Sequence, residues 1–187
     1  RPIHFEYMDE KGNAQVQFNA GIKVFGQYSR ALDQKSFSIN LRDKYGPKEV
    51  IYPFFKGNDV NVFSAFVLRS SGQDNTSAHI RDAFTAMTVK GQMDLDIMDY
   101  QPVVVYINGQ YYGIYDLREK IDEDYTANHH GTDPDKLDMI KGTYTVMSGN
   151  TTEYKELLEY VKTHDLSVEE NYRYIQSVVD IEELTNW

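Results

Sequence analysis

A tight turn between two apolar runs constrains the fold more than any other part of this sequence. Asn108 and Gly109 separate residues 103–107 from residues 111–115, and both runs are rich in valine, isoleucine and tyrosine. Asn and Gly accept the positive φ angles that a two-residue hairpin turn requires, and β-branched and aromatic residues favour strands. The segment therefore predicts an antiparallel β-hairpin, with Pro102 at the start of its first strand.

Alternating sequences before the hairpin predict further strands. Segments 20–25 and 37–41 place apolar residues at every second position, which is typical of half-buried strands. Two shorter apolar segments, 3–8 and 65–68, predict two more strands. The first part of the chain is therefore expected to form an antiparallel sheet.

One helix is predicted inside this β-rich part. Apolar residues recur at helical spacing over 80–87, Thr76 or Ser77 is placed to cap the helix, and Gly91 is placed to end it. Helical patterns then dominate after residue 120. The elements expected there are helices at 122–128 and 152–163, a short strand at 137–140, a helix begun by the capping box of Ser167 and Glu170, and a helix begun at Asp180.

Charge and composition exclude several classes of protein. The 29 acidic and 19 basic residues give a net charge of −10, whereas a protein that binds nucleic acid or an anionic membrane needs a basic face. We therefore expect no nucleic-acid partner. With 41% hydrophobic residues the chain is not disordered, and its apolar runs are far short of the ~20 residues of a membrane span.

The absence of cysteine excludes disulfides, thiol nucleophiles and cysteine-ligated metals. His129 and His130 are adjacent and belong to no His-x-x-x-His spacing, which predicts two exposed loop histidines rather than a metal site. The sequence begins with Arg1 and stops at Trp187 within an incipient helix. We therefore expect it to be a piece of a larger protein.

Basic residues around one polar loop are candidates for binding an anion. The loop contains Gly26, Ser29 and Arg30, and Lys35 follows it. A turn of small residues followed by a lysine is one way to hold phosphate oxygens. The alternative is that these groups are solvated strand ends.

Two further charged pairs allow the same two interpretations. Arg81 and Asp82 begin the predicted helix, and Arg118 and Glu119 follow the hairpin. Alternating charge of this kind is typical of a solvated surface. The other interpretation is that these residues support a binding site, because they lie beside predicted elements.

Three blocks of sequence, in order, resemble the CotH family, the spore coat protein H-like atypical protein kinases. The first block is Asn-Ala-Gly-Ile-Lys-Val-Phe-Gly-Gln-Tyr-Ser-Arg at 19–30 followed by Gln-Lys-Ser-Phe at 34–37. The second is Leu-Arg-Ser-Ser-Gly-Gln-Asp at 68–74 followed by Ile-Arg-Asp-Ala at 80–83, and the third covers 104–122.

The resemblance implies a divergent protein-kinase-like α+β fold. Residues 1–120 would be an antiparallel, β-rich small lobe with one inserted helix, and residues 121–187 the start of a helical large lobe, truncated at its end. The full-length parent is expected to bind ATP with Mg or Mn and to transfer phosphate to protein Ser or Thr hydroxyls. The resemblance suggests no individual protein substrate.

The resemblance also implies roles for individual residues. Lys35 would be the strand lysine that contacts the nucleotide phosphates, and the loop of Gly26, Ser29 and Arg30 would cover them. The supporting residues Arg81 and Asp82 would lie on the regulatory helix of the lobe. Arg118 and Glu119 would lead into the hinge beside the nucleotide.

The sequence departs from the family pattern in one respect. The catalytic and metal-binding acids of the family lie around an Asp-Trp-Pro-x-Asn-Asn segment, which is missing here and expected downstream of Trp187. We therefore expect no catalytic or metal-binding residue in this chain, no ATP turnover by it and no cofactor requirement. The alternative function is a non-catalytic surface adhesin, binding module or pseudokinase. An exported or cell-surface location is expected, with the cytoplasm as the alternative.

Overall fold

The computed structural model describes residues 1–187 and contains ten strands and five α-helices. In chain order they are β1 (Pro2–Met8), β2 (Ala14–Phe25), β3 (Ser36–Asn40), β4 (Val50–Ile51), β5 (Val62–Phe63), β6 (Ala65–Arg69), α1 (Arg81–Val89), β7 (Tyr100–Ile107), β8 (Gln110–Glu119), α2 (Glu123–His130), β9 (Met139–Lys141), β10 (Thr145–Ser148), α3 (Thr152–Thr163), α4 (Glu169–Val178) and α5 (Ile181–Asn186). Three short 3-10 helices cover Tyr28–Ala31, Gly72–Asp74 and Pro134–Lys136.

Six of the strands form one antiparallel sheet in the order β1-β2-β3-β6-β8-β7. The predicted hairpin is confirmed as β7 and β8, and its turn residues Asn108 and Gly109 have φ angles of 51° and 76°. The four strands predicted upstream are confirmed as β1, β2, β3 and β6. The mixed α and β composition, with an antiparallel sheet and one α-helix before residue 120, is confirmed as well.

One face of the sheet carries the hydrophobic core. Ile39 and Phe66 are opposite each other on neighbouring strands, and both are fully buried. The segment between β4 and β5 covers this face, because the ring of Phe54 packs edge-on against Phe66 at 4.8 Å and against Phe63 at 5.8 Å. Burying one such side chain contributes about 1.5–3 kcal/mol, so this aromatic cluster stabilises the packing of the segment on the sheet.

The opposite face of the sheet is polar where α1 lies against it. The helix begins differently from the prediction, since neither Thr76 nor Ser77 caps it. The carboxylate of Asp74 accepts hydrogen bonds from the backbone N–H groups of Ala78 at 3.2 Å and Arg81 at 3.1 Å. A side chain from the preceding loop therefore satisfies donors that a local cap would satisfy.

Helices dominate the rest of the chain, as predicted. The side chain of Asp180 caps α5 by accepting a hydrogen bond from the N–H of Glu183 at 2.9 Å, which confirms that start. The predicted capping box at Ser167 is wrong, because Val168 is the residue before α4 and no side chain caps that helix. His129 and His130 form the last turn of α2 instead of a loop. None of the helices combines the length and apolar character that a membrane crossing requires.

Candidate functional site

The loop between β2 and β3 folds tightly because of Gly26. This residue has a φ of 99°, and a Cβ placed on it would lie 2.0 Å from the Oγ of Ser29. Only glycine fits both the backbone conformation and this close approach. The loop continues into the 3-10 helix Tyr28–Ala31, which holds Ser29 half-buried and Arg30 exposed.

The end of this loop is attached to β8, two strands away from β3. The side chain of Gln34 donates a hydrogen bond to the carbonyl oxygen of Ile114 at 2.9 Å, and the hydroxyl of Tyr115 donates to the carbonyl oxygen of Lys35 at 2.6 Å. The sheet register places these contacts just beyond Arg69, the last residue of β6. The loop therefore passes the end of β6.

Lys35 lies one residue before β3, so its expected placement on the strand is corrected. Its ammonium group donates a hydrogen bond to the carbonyl oxygen of Leu32 within the same loop. The side chain folds back on the loop because the strand begins only at Ser36. Its contact with a nucleotide stays a prediction.

Arg69 ends β6 at the point where the loop passes. The neighbouring Ser70 is fixed there, because its N–H donates to the Oγ of Ser36 at 3.0 Å and the two hydroxyls are also 3.0 Å apart. The Nε of Arg69 lies 2.7 Å from a carboxylate oxygen of Asp82 in the first turn of α1. This ion pair connects the sheet to the helix.

A second arginine binds the same carboxylate from β8. Arg118 donates from Nη1 to the Oδ2 of Asp82 and from Nη2 to the carbonyl oxygen of Met98 at 3.2 Å. Its side chain is only 2% exposed. An arginine so deeply buried needs a partner charge, which Asp82 supplies.

Asp116 completes a cluster of four charges, the arginine–aspartate network of Arg69, Asp82, Asp116 and Arg118. It lies directly across from Arg69 in the pairing of β6 with β8 and is buried. Burial raises the pKa of Asp116, and the charge of Asp82 adds to this, while Arg118 and Arg69 oppose it. With both acids ionised, the network balances two positive and two negative groups.

One buried donor of the network has no acceptor, and a second makes only an ion-pair contact. The Nε of Arg118 is buried without an acceptor, and the Nε of Arg69 is buried with the Asp82 carboxylate at 2.7 Å, outside hydrogen-bond geometry. Unsatisfied buried N–H groups are rare in folded proteins. The side chain of Arg69 is 34% exposed, so an oxyanion could reach it beside Asp82, and guanidinium groups suit phosphate oxygens well.

The remaining predicted residues lie apart from the network. Arg81 is exposed, and its Nε lies 3.1 Å from the Oδ1 of Asp74, where it supports the start of α1. Glu119 is buried at the end of β8, where it accepts hydrogen bonds from the N–H of Asp99 at 2.9 Å and the amide of Asn58 at 3.1 Å. His129 lies 2.9 Å from the same carboxylate, so Glu119 joins the sheet to α2.

A cleft of about 390 Å³ lies beside Glu119 rather than beside the network. It is lined by the 57–60 and 90–99 segments and by α2. Four of its lining side chains pair with one another, since Lys90 contacts Asp99 and His130 lies 2.7 Å from Asp96. No group of three or more His, Asp or Glu side chains is arranged to hold a metal ion.

Sequence reasoning missed Arg69 and Asp116 as members of the site. Both lie in the sequence blocks that resemble the CotH family, but the resemblance assigned no role to either residue. The usable signal was a basic residue at the end of a predicted strand, followed by the acid Asp82 in the first turn of the next helix. The structure brings Asp82 and Arg118 together with Arg69, and leaves Gly26, Ser29, Arg30 and Lys35 in the loop beside it.

Comparison with known protein families agrees with the resemblance of the three sequence blocks. The signature of the family described as CotH kinase protein matches residues 22–187, which include the loop, the network and the helices after it. A comparison with curated proteins found no match. Since the matched segment spans most of the sequence, the chain belongs to the CotH family.

Proposed function

We propose that this chain carries the nucleotide-binding lobe of an ATP-dependent, protein-kinase-like enzyme, and that Arg69 is the basic strand residue that contacts the phosphates. Protein kinases cover the nucleotide with a glycine-containing loop. They also pair a lysine on the third strand with an acid on the helix that follows. Both features have counterparts here.

The order of elements supports the proposal. Counting from β2 and including only strands of the six-stranded sheet, the loop with Gly26 joins the first two strands, β6 is the third, α1 follows, and β7 and β8 complete the set. Arg69 ends the sequence Phe-Val-Leu-Arg at 66–69, whose pattern is similar to the Val-Ala-Ile-Lys of kinases. Arginine in place of lysine keeps the charge and offers a planar fork to phosphate oxygens.

The observation that carries the proposal is the ion pair between Arg69 and Asp82. Its 2.7 Å contact joins the third strand to the helix, as the corresponding pair does in protein kinases. The side chain of Arg69 is still 34% exposed in this pair, which leaves part of it accessible to a further anion. Phosphoryl transfer depends largely on positioned charge, and this pair would position it.

The other predicted residues have supporting roles in the proposal. The segment with Gly26, Ser29 and Arg30 would cover the phosphates, and Lys35 would add a second positive charge after leaving the carbonyl of Leu32. Arg118 holds Asp82 from the sheet side. The position of Glu119 at the end of β8 makes it the residue that fixes the segment leading to α2.

The residues present do not fit a site for Mg or Mn. No three carboxylate or imidazole groups converge, and the sequence has no Asp-Trp-Pro segment. We therefore derive no step through a metal. For residues 1–187 the proposal is nucleotide binding, and phosphoryl transfer to protein Ser or Thr hydroxyls is a proposal for the whole protein.

A series of nucleotides tests whether phosphates are recognised. Calorimetric titration of the chain with ATP, ADP, AMP and adenosine should give affinities that fall in that order. Lys35→Ala should weaken ATP binding less than the loss of Arg69 does. Lys48→Ala is the matched control, since Lys48 is exposed and pairs with Asp43 at 3.1 Å. Equal binding of ATP and adenosine would contradict the proposal.

The exposed face of the hairpin favours a second candidate function, a binding module at an exported or cell-surface location. Val104 and Ile114 are each 55% exposed, and Tyr106 and Tyr111 are exposed beside them. Clustered apolar residues on a surface often mark an interaction site. This function would be preferred if ATP, ADP and AMP all failed to bind the wild-type chain.

A further inference from the structure

We propose that Gln34 and Tyr115 are positioning residues that hold the Gly26–Lys35 loop over the end of β6 and so pre-form the phosphate site. The ligand in this inference, a nucleotide phosphate, is taken from the proposed function. The attachment of the loop to β8 does not depend on that function. Neither side chain makes a hydrogen bond to Arg69, and both bind the backbone of other residues.

Gln34 reaches β8 because Gly113 leaves room for it. The amide donates to the carbonyl oxygen of Ile114 at 2.9 Å. A Cβ placed on Gly113 would lie 2.5 Å from the Nε2 of Gln34, and the φ of Gly113 is 137°. The amide therefore occupies the space that any other residue at 113 would fill.

Tyr115 attaches the next residue of the loop. Its hydroxyl donates to the carbonyl oxygen of Lys35 at 2.6 Å, and its ring is 1% exposed. The ring packs beside those of Phe37 at 6.3 Å and Tyr112 at 6.2 Å, which are 5.9 Å from each other, and this packing limits where the hydroxyl points. Burial raises the pKa of Tyr115, so the hydroxyl keeps its proton and stays a donor at neutral pH.

The two attachments act on consecutive residues at the point where the loop must turn into β3. Ser36, the first residue of β3, is held to Ser70 by its hydroxyl. Residues 34–36 are thus fixed to β8 and to Ser70, the residue that follows Arg69 at the end of β6. A loop held in its binding position before the ligand arrives loses less conformational entropy on binding.

Two variants remove one attachment each. Tyr115→Phe deletes the hydroxyl and keeps the ring, and Gln34→Met keeps the length and deletes the amide. Tyr112→Phe is the matched control, because Tyr112 stacks on the same ring and its hydroxyl makes no hydrogen bond to another residue. Amide hydrogen exchange over 27–35 is measured in the chain without nucleotide, and ATP affinity is measured separately.

Loss of one hydrogen bond should raise exchange over 27–35 about threefold to tenfold and weaken ATP binding by a similar factor. Exchange in β1 and α3 should not change, and the double variant should exceed either single variant. A general rise in exchange across the sheet would show a structural role and overturn the inference.

The two proposals fail differently. If the wild-type chain binds no nucleotide, the proposed function is contradicted while the exchange data still test the attachment. If ATP binds and both variants match Tyr112→Phe in loop exchange and in affinity, the positioning role is contradicted and the proposed function stands.

Discussion

The carboxylate of Asp82 lies 2.7 Å from the Nε of Arg69, so the first turn of α1 is joined to the last residue of β6. The same carboxylate accepts from Arg118 on the neighbouring strand. One acid therefore contacts two arginines, one of which is almost fully buried. This arrangement makes Asp82 the residue on which the orientation of α1 depends.

Asp82→Asn should destabilise the chain strongly. The substitution removes the charge that compensates buried Arg118, but the Asp82 side chain is 42% exposed, so the loss should be about 1.5–3 kcal/mol, the range for a hydrogen bond to a charged group. The free energy of unfolding is measured by urea denaturation. Glu169→Gln is the control, because it breaks an exposed pair with Arg173 that contributes at most about 1 kcal/mol. Equal losses in the two variants would contradict the account.

Gly26→Ala should destabilise the loop by about 1–3 kcal/mol, since alanine is strained at a φ of 99°. The added Cβ would also meet the Oγ of Ser29. Gly57→Ala separates the backbone strain from the contact with Ser29, because Gly57 has a φ of 78° and open space around it. Thermal unfolding should show a larger loss for Gly26→Ala, and adding Ser29→Ala should recover part of it. Equal losses at the two glycines would mean that the contact with Ser29 has no effect.

Stability should depend on pH through Asp116 in a defined direction. Burial raises the pKa of Asp116 above 3.8, so the stability that its neutral form contributes is present at low pH and is lost as pH rises through the raised value. Asp116→Asn should therefore gain stability relative to wild type as pH rises from about 4 to 7. Urea denaturation across this range measures the difference.

Asp9→Asn should change the pH dependence of stability in the opposite direction and serves as the comparison. Hydrogen bonds from the side chain and backbone of Asn13 hold the pKa of Asp9 below 3.8. The stability from ionised Asp9 is present at neutral pH and lost as pH falls. This variant should therefore lose stability relative to wild type as pH rises. Parallel pH profiles for the two variants would contradict the assignment of Asp116.

The parts of the fold that depend on local sequence could be predicted. Asn108 and Gly109 determine their turn through their own backbone preferences, and the strands on either side follow from alternation. Asp180 caps its helix through a residue three positions later. The start of α1 could not be found in this way, because Asp74 reaches it from an earlier loop and competes with the nearer candidates Thr76 and Ser77.

The site was harder to predict than the fold. Arg69 and Asp82 are 13 positions apart, and Arg118 is a further 36 positions along the chain, so their meeting depends on strand order rather than on spacing. Lys35 is a more obvious basic residue in the sequence, but β3 starts one residue after it. The assembled sheet shows that Arg69, and not Lys35, lies on a strand and pairs with an acid of the following helix.

Calorimetric titration of ATP into the Arg69→Met variant tests the central claim most directly. Arg173→Met is the matched control, because Arg173 is exposed on α4 and pairs only with Glu169. Losing one charge-assisted hydrogen bond to phosphate corresponds to roughly 1.5–3 kcal/mol, so the dissociation constant for ATP should rise about tenfold to hundredfold in Arg69→Met and stay unchanged in Arg173→Met. Unchanged ATP affinity in a folded Arg69→Met chain would contradict the account.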